Sequence, residues 1–102
     1  MTRRLSLPLL ALCLLTAGCG PIQTTAWMMD AEVALDSAKT AGAAERSPYE
    51  LHSAELYLHK AREELGYSEY ELAVEYARRA THRAQEARER ALKGAKGTPQ
   101  KP

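Results

Sequence analysis

Two histidines and two carboxylates are the side chains best suited to hold a metal in this 102-residue chain. His52 and His59 fall on one face of a predicted helix. Glu55 and Glu63 lie near them, and a histidine with a carboxylate four residues away can ligate zinc. No cysteine is spaced to complete such a site, and His82 falls on another predicted helix. We therefore predict a solvated helix face, with no metal and no cofactor.

A pair of neighbouring carboxylates is the candidate for acid–base catalysis. Glu63 and Glu64 are adjacent in the sequence, and adjacent side chains on a helix diverge by about 100°. They cannot both face one substrate, as a general acid and base must. We expect a chain that is not an enzyme and that binds no small-molecule substrate.

A basic run on the last predicted helix is the candidate for anion binding. It consists of Arg78, Arg79, His82 and Arg83. These side chains could meet lipid phosphate or an anionic wall polymer, although a run of this length is commonly a solvated helix face. The whole chain carries 14 Lys and Arg against 13 Asp and Glu, and such a balance argues against a nucleic-acid partner.

Apolar side chains that fall off the predicted helix seams are the candidates for contact with a protein partner. They are Leu56, Leu72 and Tyr76. Large apolar groups outside a core mark interaction sites when they form a patch. The five tyrosines cluster around the second and third predicted helices, either as a binding patch or as partly buried packing residues.

The sequence predicts two helices in the first half of the domain, and the second of them carries His52 and His59. The first is predicted from near Ala26, because apolar residues recur at steps of three and four: Met28, Ala31, Leu35, Ala38 and Gly42. Ser47 caps the second, with Pro48 at its first position and Glu50 reaching back in a capping box. Its seam consists of Leu51, Ala54, Leu58, Ala61 and Leu65.

A third helix follows a tight turn. Gly66 is expected to adopt the left-handed conformation that closes a helix, and Ser68 to cap the next one. Its inner face is an alanine stripe against which the leucines of the second helix should lie: Ala73, Ala77, Ala80, Ala84, Ala87 and Ala91. We expect ion pairs between Glu75 and Arg79 and between Glu86 and Arg90. Whether the end of this helix packs or projects, and whether the stripe drives self-association, stays open.

The chain therefore divides into four parts. Residues 1–18 have the features of a cleaved export signal, with Arg3 and Arg4, an apolar stretch and small residues before the cut. Residues 19–25 are a short tether, residues 26–93 an all-α domain, and residues 94–102 a disordered tail. The predicted domain is a three-helix bundle of up-down-up order with coiled-coil-like packing.

The stretch from Leu15 to Cys19 resembles the lipobox of bacterial lipoproteins, although Thr16 stands where that family most often has leucine. The resemblance implies a diacylglyceryl group on the Cys19 thiol and cleavage before it. By the rule of that family, Gly20 favours the outer membrane, facing the periplasm. The alternative is an ordinary export signal that leaves Cys19 as a free thiol, which would invite intermolecular pairing.

The second and third predicted helices resemble a single tetratricopeptide-type hairpin at Ala61, Tyr70, Ala73 and Ala80, but Gln85 stands where that repeat prefers proline. The whole chain is similar to small bacterial lipoproteins of domain of unknown function 4398. That similarity is carried by Leu35, Ala38, Ala41, Gly42, residues 47–51, Ala54, Leu58, Ala61 and residues 70–80. We expect a non-catalytic interaction or structural module of the envelope, held at the membrane by Cys19 and docking onto another envelope protein. The alternative is a binder of wall or anionic lipid.

Overall fold

The structure, a computed structural model, describes residues 7–12 and 19–97, and these ranges contain helices and no strand. A short helix α1 covers residues 7–12. Three long helices and one single turn follow: α2 (Cys19–Thr40), α3 (Ala43–Arg46), α4 (Pro48–Gly66) and α5 (Tyr70–Gly97). The predicted all-α class is confirmed. In the described ranges no helix combines the length and the hydropathy needed to cross a bilayer.

The long helices pack around α5, which contacts both α2 and α4 along their lengths. All six alanines of the predicted stripe on α5 are buried, none more than 1% exposed. Small side chains allow neighbouring helices to approach closely. The stripe is therefore internal, and it is not available for self-association.

The core divides into two clusters. The aromatic cluster has at its centre Met28, Ala31, Leu58, Ala61, Ala77 and Ala80, flanked by Trp27, Leu35, Tyr57, Leu65 and Tyr76. The alanine cluster consists of Ala38, Ala43, Leu51, Ala87 and Ala91, flanked by Leu35 and Ala41. Residue numbers rise along α2 and α5 but fall along α4 between the two clusters, so α4 runs opposite to the other two helices. The end of α5 packs through Ala87 and Ala91.

Helix α2 begins earlier than the sequence pattern predicts. Its first residue is Cys19, so the segment predicted to be a tether is helical. Pro21 is tolerated there because the first N–H groups of a helix have no partner within it. The buried face continues to Thr24, which is 1% exposed. Because this buried position holds a polar residue, apolar periodicity alone did not reveal the start of the helix.

The other end of the domain also extends further than expected. Helix α5 continues to Gly97, so the first four residues of the predicted tail are helical. Residues 98–102 of that tail lie outside the described residues. The same holds for residues 1–6 and 13–18 of the predicted signal peptide.

The turn between α4 and α5 is closed by Ser68 and not by Gly66. Gly66 is the last residue of α4, and Ser68 has a φ of 60°. The Ser68 N–H donates to the carbonyl of Leu65, and the Glu69 N–H donates to that of Glu64. These two bonds form a Schellman motif with Ser68 in its left-handed position. The predicted left-handed residue was wrong by two positions.

The turn after α2 does use a glycine. Gly42 has a φ of 88° and precedes the single turn α3. A Cβ at this position would lie 2.9 Å from Nη1 of Arg46, and the Arg46 guanidinium donates to the carbonyl of Ala41 at 3.3 Å. This extra turn, which the apolar pattern did not predict, adds Ala43 to the alanine cluster.

Candidate functional site

The predicted basic run is largely neutralised by its own helix. Nη2 of Arg79 lies 2.6 Å from Oε1 of Glu75, which confirms the predicted pair. Glu86 accepts from Arg83 at 3.1 Å and lies 3.7 Å from Nε2 of His82. Two carboxylates thus face three of the four basic side chains. The run offers an anion less positive charge than its sequence suggests.

Two arginines of the basic run also make cation–π contacts. Arg78 lies over the ring of Trp27, 5.4 Å from its centroid, and Arg79 lies about as far from two tyrosine rings. Those rings, Tyr57 and Tyr76, stack with centroids 6.2 Å apart and planes 25° apart. Cation–π contacts of this kind stabilise a cation by roughly 0.5–1 kcal/mol at exposed sites. Arg78 and Arg79 therefore cover the edge of the aromatic cluster.

A shallow groove runs along the same face of α5. It has a volume of about 780 Å³ and is lined by Tyr57, Glu71, Val74, Glu75, Arg78, Arg79, His82 and Arg83. Two acids, Glu71 and Glu75, lie toward one end of its wall, and the basic run of α5 lines the rest.

The predicted partner surface is only partly free. Leu56 is 56% exposed and Leu72 is 39% exposed, as expected for residues off the seams. Tyr76 is half-buried, packs against the aromatic cluster and stacks on Tyr57. The leucines are therefore the accessible part of this predicted surface.

The residues considered for zinc binding or acid–base catalysis lie on the outside of α4. His52 and His59 are exposed. Within residues 7–12 and 19–97, no group of three or more His, Cys, Asp or Glu is placed to hold a metal. Glu63 and Glu64 instead flank Lys60, at 3.3 and 3.5 Å from its Nζ. The hydrogen bond and charge of Glu63 raise the pKa of Lys60, and Glu64 adds to that effect.

One polar contact was not predicted, and it joins the ends of two helices. Glu50, only 7% exposed, accepts from Ser47 Oγ at 2.6 Å and forms an ion pair with Arg90, whose Nη1 lies 2.8 Å from Oε1. The hydrogen bond from Ser47 lowers the pKa of Glu50, as do the Glu50 backbone N–H and the charges of Arg90 and Arg83, against the opposing effect of burial. We call Ser47, Glu50 and Arg90 the polar clasp.

The polar clasp corrects two predictions. Ser47 makes no side-chain cap to the N–H groups of α4, and its hydroxyl donates to Glu50. Arg90 pairs with Glu50 and not with Glu86, since an ionised carboxylate with little water around it attracts a cation more strongly than an exposed one. Glu50 and Arg90 are forty positions apart, so local spacing could not reveal this pair.

A second missed feature is the outer face of α2. Ile22, Met29 and Val33 are 72%, 60% and 68% exposed. With Ala26 they recur at steps of four, three and four. This spacing was visible in the sequence, but the inner stripe of the same helix accounted for the amphipathic pattern first.

Comparison with known proteins gives one match. The model of the family described as Domain of unknown function (DUF4398) matches residues 27–96. This range begins at Trp27 and ends one residue before the end of α5. No curated protein and no solved structure matches the chain. Because the matched segment is more than half of the sequence, the chain belongs to the DUF4398 family.

Proposed function

We propose that this protein is a lipid-anchored module of a bacterial envelope that acts by contact and not by catalysis. The mature chain begins at an acylated Cys19, sits on the periplasmic side of the outer membrane and docks onto another envelope protein. Its helices α2, α4 and α5 form an up-down-up bundle in which α4 and α5 are a lone tetratricopeptide-like hairpin. A lone hairpin cannot form the concave groove of a repeat array, so contact is made by the outer helix faces.

The distribution of apolar side chains is the observation that carries this proposal. The six alanines of the stripe on α5 are buried, while larger groups such as Leu56, Leu72 and Met29 lie in solvent. Large apolar side chains are thus found on the surface as well as in the core, where Met28, Leu51 and Leu58 are buried. Where exposed apolar groups of this size form a patch, they commonly mark a site of protein or membrane contact.

The position of Cys19 supports the proposed anchor. Cys19 is the first residue of α2. A lipid on its sulfur would therefore be joined to the folded domain without a long linker. Several acyl chains hold a protein at a membrane firmly, because each buried methylene contributes about 0.8 kcal/mol. Helix α2 would then begin close to the bilayer surface.

The alternative function, binding of wall polymer or anionic lipid through the run from Arg78 to Arg83, has weaker support. Glu75 and Glu86 already pair with Arg79 and Arg83. A binder of this kind would be retained on purified sacculi or anionic liposomes, and salt would release it steeply. Retention that persists in Arg78→Ala but falls when the anchor is removed would favour the anchored contact module.

Mass spectrometry of the protein purified from bacterial membranes tests the anchor. We expect cleavage before Cys19 and a mass increase that matches a diacylglyceryl group with one further acyl chain. Cys19→Ser should lose the modification and leave the membrane fraction. Cys13→Ser is the matched control, because it removes the other cysteine and should change neither result. An unmodified sulfhydryl at Cys19, or a retained leader, contradicts the proposal.

Photo-crosslinking in intact cells tests the contact function. A photoreactive side chain at Leu56 or Leu72 should capture a discrete envelope protein. The control position is Glu89, which is exposed on α5 and lies outside the proposed surface. Equal crosslinking from all three positions, or none from the leucines, contradicts a specific partner at this surface.

A further inference from the structure

Two neighbouring methionines on α2 lie in opposite environments. Met28 is 7% exposed and belongs to the centre of the aromatic cluster, whereas Met29 is 60% exposed. Successive side chains on a helix diverge by about 100°, so a helix that points Met28 at the core turns Met29 away from it. The chain therefore carries the same thioether in a buried and in an open setting, one residue apart.

The surroundings of Met29 leave room for a small reagent. Met29 lines a groove with Ile22, Thr25 and Ala26, all exposed, and the groove has a volume of about 430 Å³. A water molecule takes up about 30 Å³ in the liquid, and hydrogen peroxide is only a little larger. A hydroperoxide can therefore approach the side chain of Met29 without any movement of the fold.

The two positions also differ in how they would tolerate an added oxygen. A sulfoxide is polar, and at Met29 water can donate hydrogen bonds to its oxygen. Met28 packs among residues such as Ala31 and Leu58, which are 1% and 2% exposed. A polar group buried without a hydrogen bond destabilises a fold. The folded domain thus protects Met28 and leaves Met29 both reachable and free to change.

We propose that Met29 is a reversible oxidation site, at which a hydroperoxide converts the thioether to a sulfoxide while the domain stays folded. The sulfur lone pair attacks one peroxide oxygen, so an S–O bond forms and the O–O bond breaks. The departing hydroxide takes the proton of the transferred oxygen and leaves as water. Sulfur loses two electrons and the peroxide gains them.

The reverse step needs a reductase and two thiols. Methionine sulfoxide reductases return the sulfoxide to the thioether. The sulfoxide oxygen leaves as water, and the two thiols become a disulfide. Attack on either lone pair of the sulfur gives a different epimer, and each epimer has its own reductase. The exposure of Met29 gives such an enzyme access that Met28 does not offer.

Oxidation at this position changes the surface of α2 and not its core. The exposed apolar residues Ile22, Ala26, Met29 and Val33 recur at steps of four, three and four along the outer face. A sulfoxide at Met29 adds a polar, chiral group within that series. The outer face of α2 therefore becomes more polar, while the inner face that holds Met28 is unchanged.

Hydrogen peroxide added to the folded full chain tests the site. Mass spectrometry follows the added oxygen, and fragment ions that break the chain between Met28 and Met29 assign it. These ions also separate both methionines from Cys19. We expect Met29 to oxidise at least about tenfold faster than Met28, because oxidation follows exposure. Equal rates in the folded chain overturn the proposal.

Unfolding the chain provides the control for intrinsic reactivity. In concentrated guanidinium chloride both thioethers are exposed, so the two rates should become equal. A rate difference that persists in the unfolded chain would mean that the fold does not select Met29, and it overturns the proposal.

Two matched variants assign the fast reaction. Exchange of methionine for leucine nearly conserves side-chain volume, so both variants should fold. Met29→Leu should remove the fast uptake of oxygen, and Met28→Leu should leave it intact. Fast uptake that survives in Met29→Leu overturns the assignment.

Reversibility is tested on the chain oxidised at Met29. Its circular dichroism and melting temperature should match those of the untreated protein, and the two reductases with dithiothreitol should restore the original mass. Loss of helical signal, or a mass that neither enzyme restores, overturns a reversible site. None of these measurements requires an acylated Cys19, so their failure leaves the proposed function standing.

Discussion

The two clusters of the core are built differently. The aromatic cluster has Met28 and Leu58 among its alanines and is sealed by Trp27, Tyr57 and Tyr76. The alanine cluster has one large buried side chain, Leu51, and its remaining members are alanines from three helices. The polar clasp of Glu50 and Arg90 joins α4 and α5 at that same end.

The difference shows two ways for a small domain to hold its helices together. At the aromatic cluster, large side chains fill the space between helices and contribute through the apolar area that they remove from water. At the alanine cluster, helix backbones come close, and burial adds little area per residue. At the alanine cluster a partly buried ion pair also connects α4 and α5. We therefore expect the aromatic cluster to lose stability when a large side chain is truncated, and the alanine cluster to lose stability when a small side chain is enlarged.

Leu58→Ala should give the largest loss of stability. Leu58 is 2% exposed in the aromatic cluster, and truncation of a buried leucine leaves a cavity that costs about 3 kcal/mol. Leu56→Ala on the same helix is the control and should cost less than about 0.5 kcal/mol. Chemical denaturation measures both changes. Similar losses would show that the aromatic cluster is not packed as described.

Ala87→Leu should destabilise the alanine cluster by crowding. Ala87 is fully buried, and extra methylenes in a close-packed site cost about 2 kcal/mol. Ala95 is exposed on the same helix, so Ala95→Leu should be nearly neutral. A stabilising effect of Ala87→Leu, seen as a higher melting temperature, would mean that the helices are not in close contact there.

Glu50→Gln should produce a smaller loss that depends on pH. Because the folded protein lowers the pKa of Glu50 below its ordinary 4.5, the ionised carboxylate contributes stability at higher pH. That contribution disappears as the pH falls through the folded pKa. The melting temperature of the unaltered protein should therefore drop more steeply below pH 4.5 than that of Glu50→Gln.

The control for the polar clasp is an exposed ion pair. Glu75 and Arg79 have half-exposed side chains, and exposed pairs add little to stability. Glu75→Gln should lower the melting temperature by much less than Glu50→Gln does. If Glu75→Gln and Glu50→Gln give equal changes, burial does not strengthen the clasp.

Replacing glycine with alanine should change stability in opposite directions in the two turns, the one after α2 and the one after α4. Gly42→Ala, at a φ of 88° and 2.9 Å from Arg46, should cost about 1 kcal/mol. Gly66 is helical, and a methyl group added there would meet no atom within 4 Å. Gly66→Ala should therefore raise stability by about 0.7 kcal/mol. Chemical denaturation of both variants measures the two effects, and a loss from Gly66→Ala would restore Gly66 as the left-handed residue.

Much of the inner packing was readable from periodicity alone. The seam from Leu51 to Ala61 and the alanine stripe on α5 are buried as predicted, because a helix face is a local property with a period of 3.6 residues. The candidate site was less readable. The neutralisation of Arg83 by Glu86 was not foreseen, since exposed side chains have several partners within reach and the sequence does not rank them.

The amino-acid sequence by itself determined the helical class, the inner faces and the family, because each depends on residues close together along the chain. The tertiary structure alone decided that Arg90 meets Glu50, that Ser68 takes the left-handed turn position and that one apolar face of α2 stays in solvent. Each of those outcomes depends on which helices lie side by side. Contacts between residues distant in the chain compete with local preferences there, and the burial they achieve decides between them.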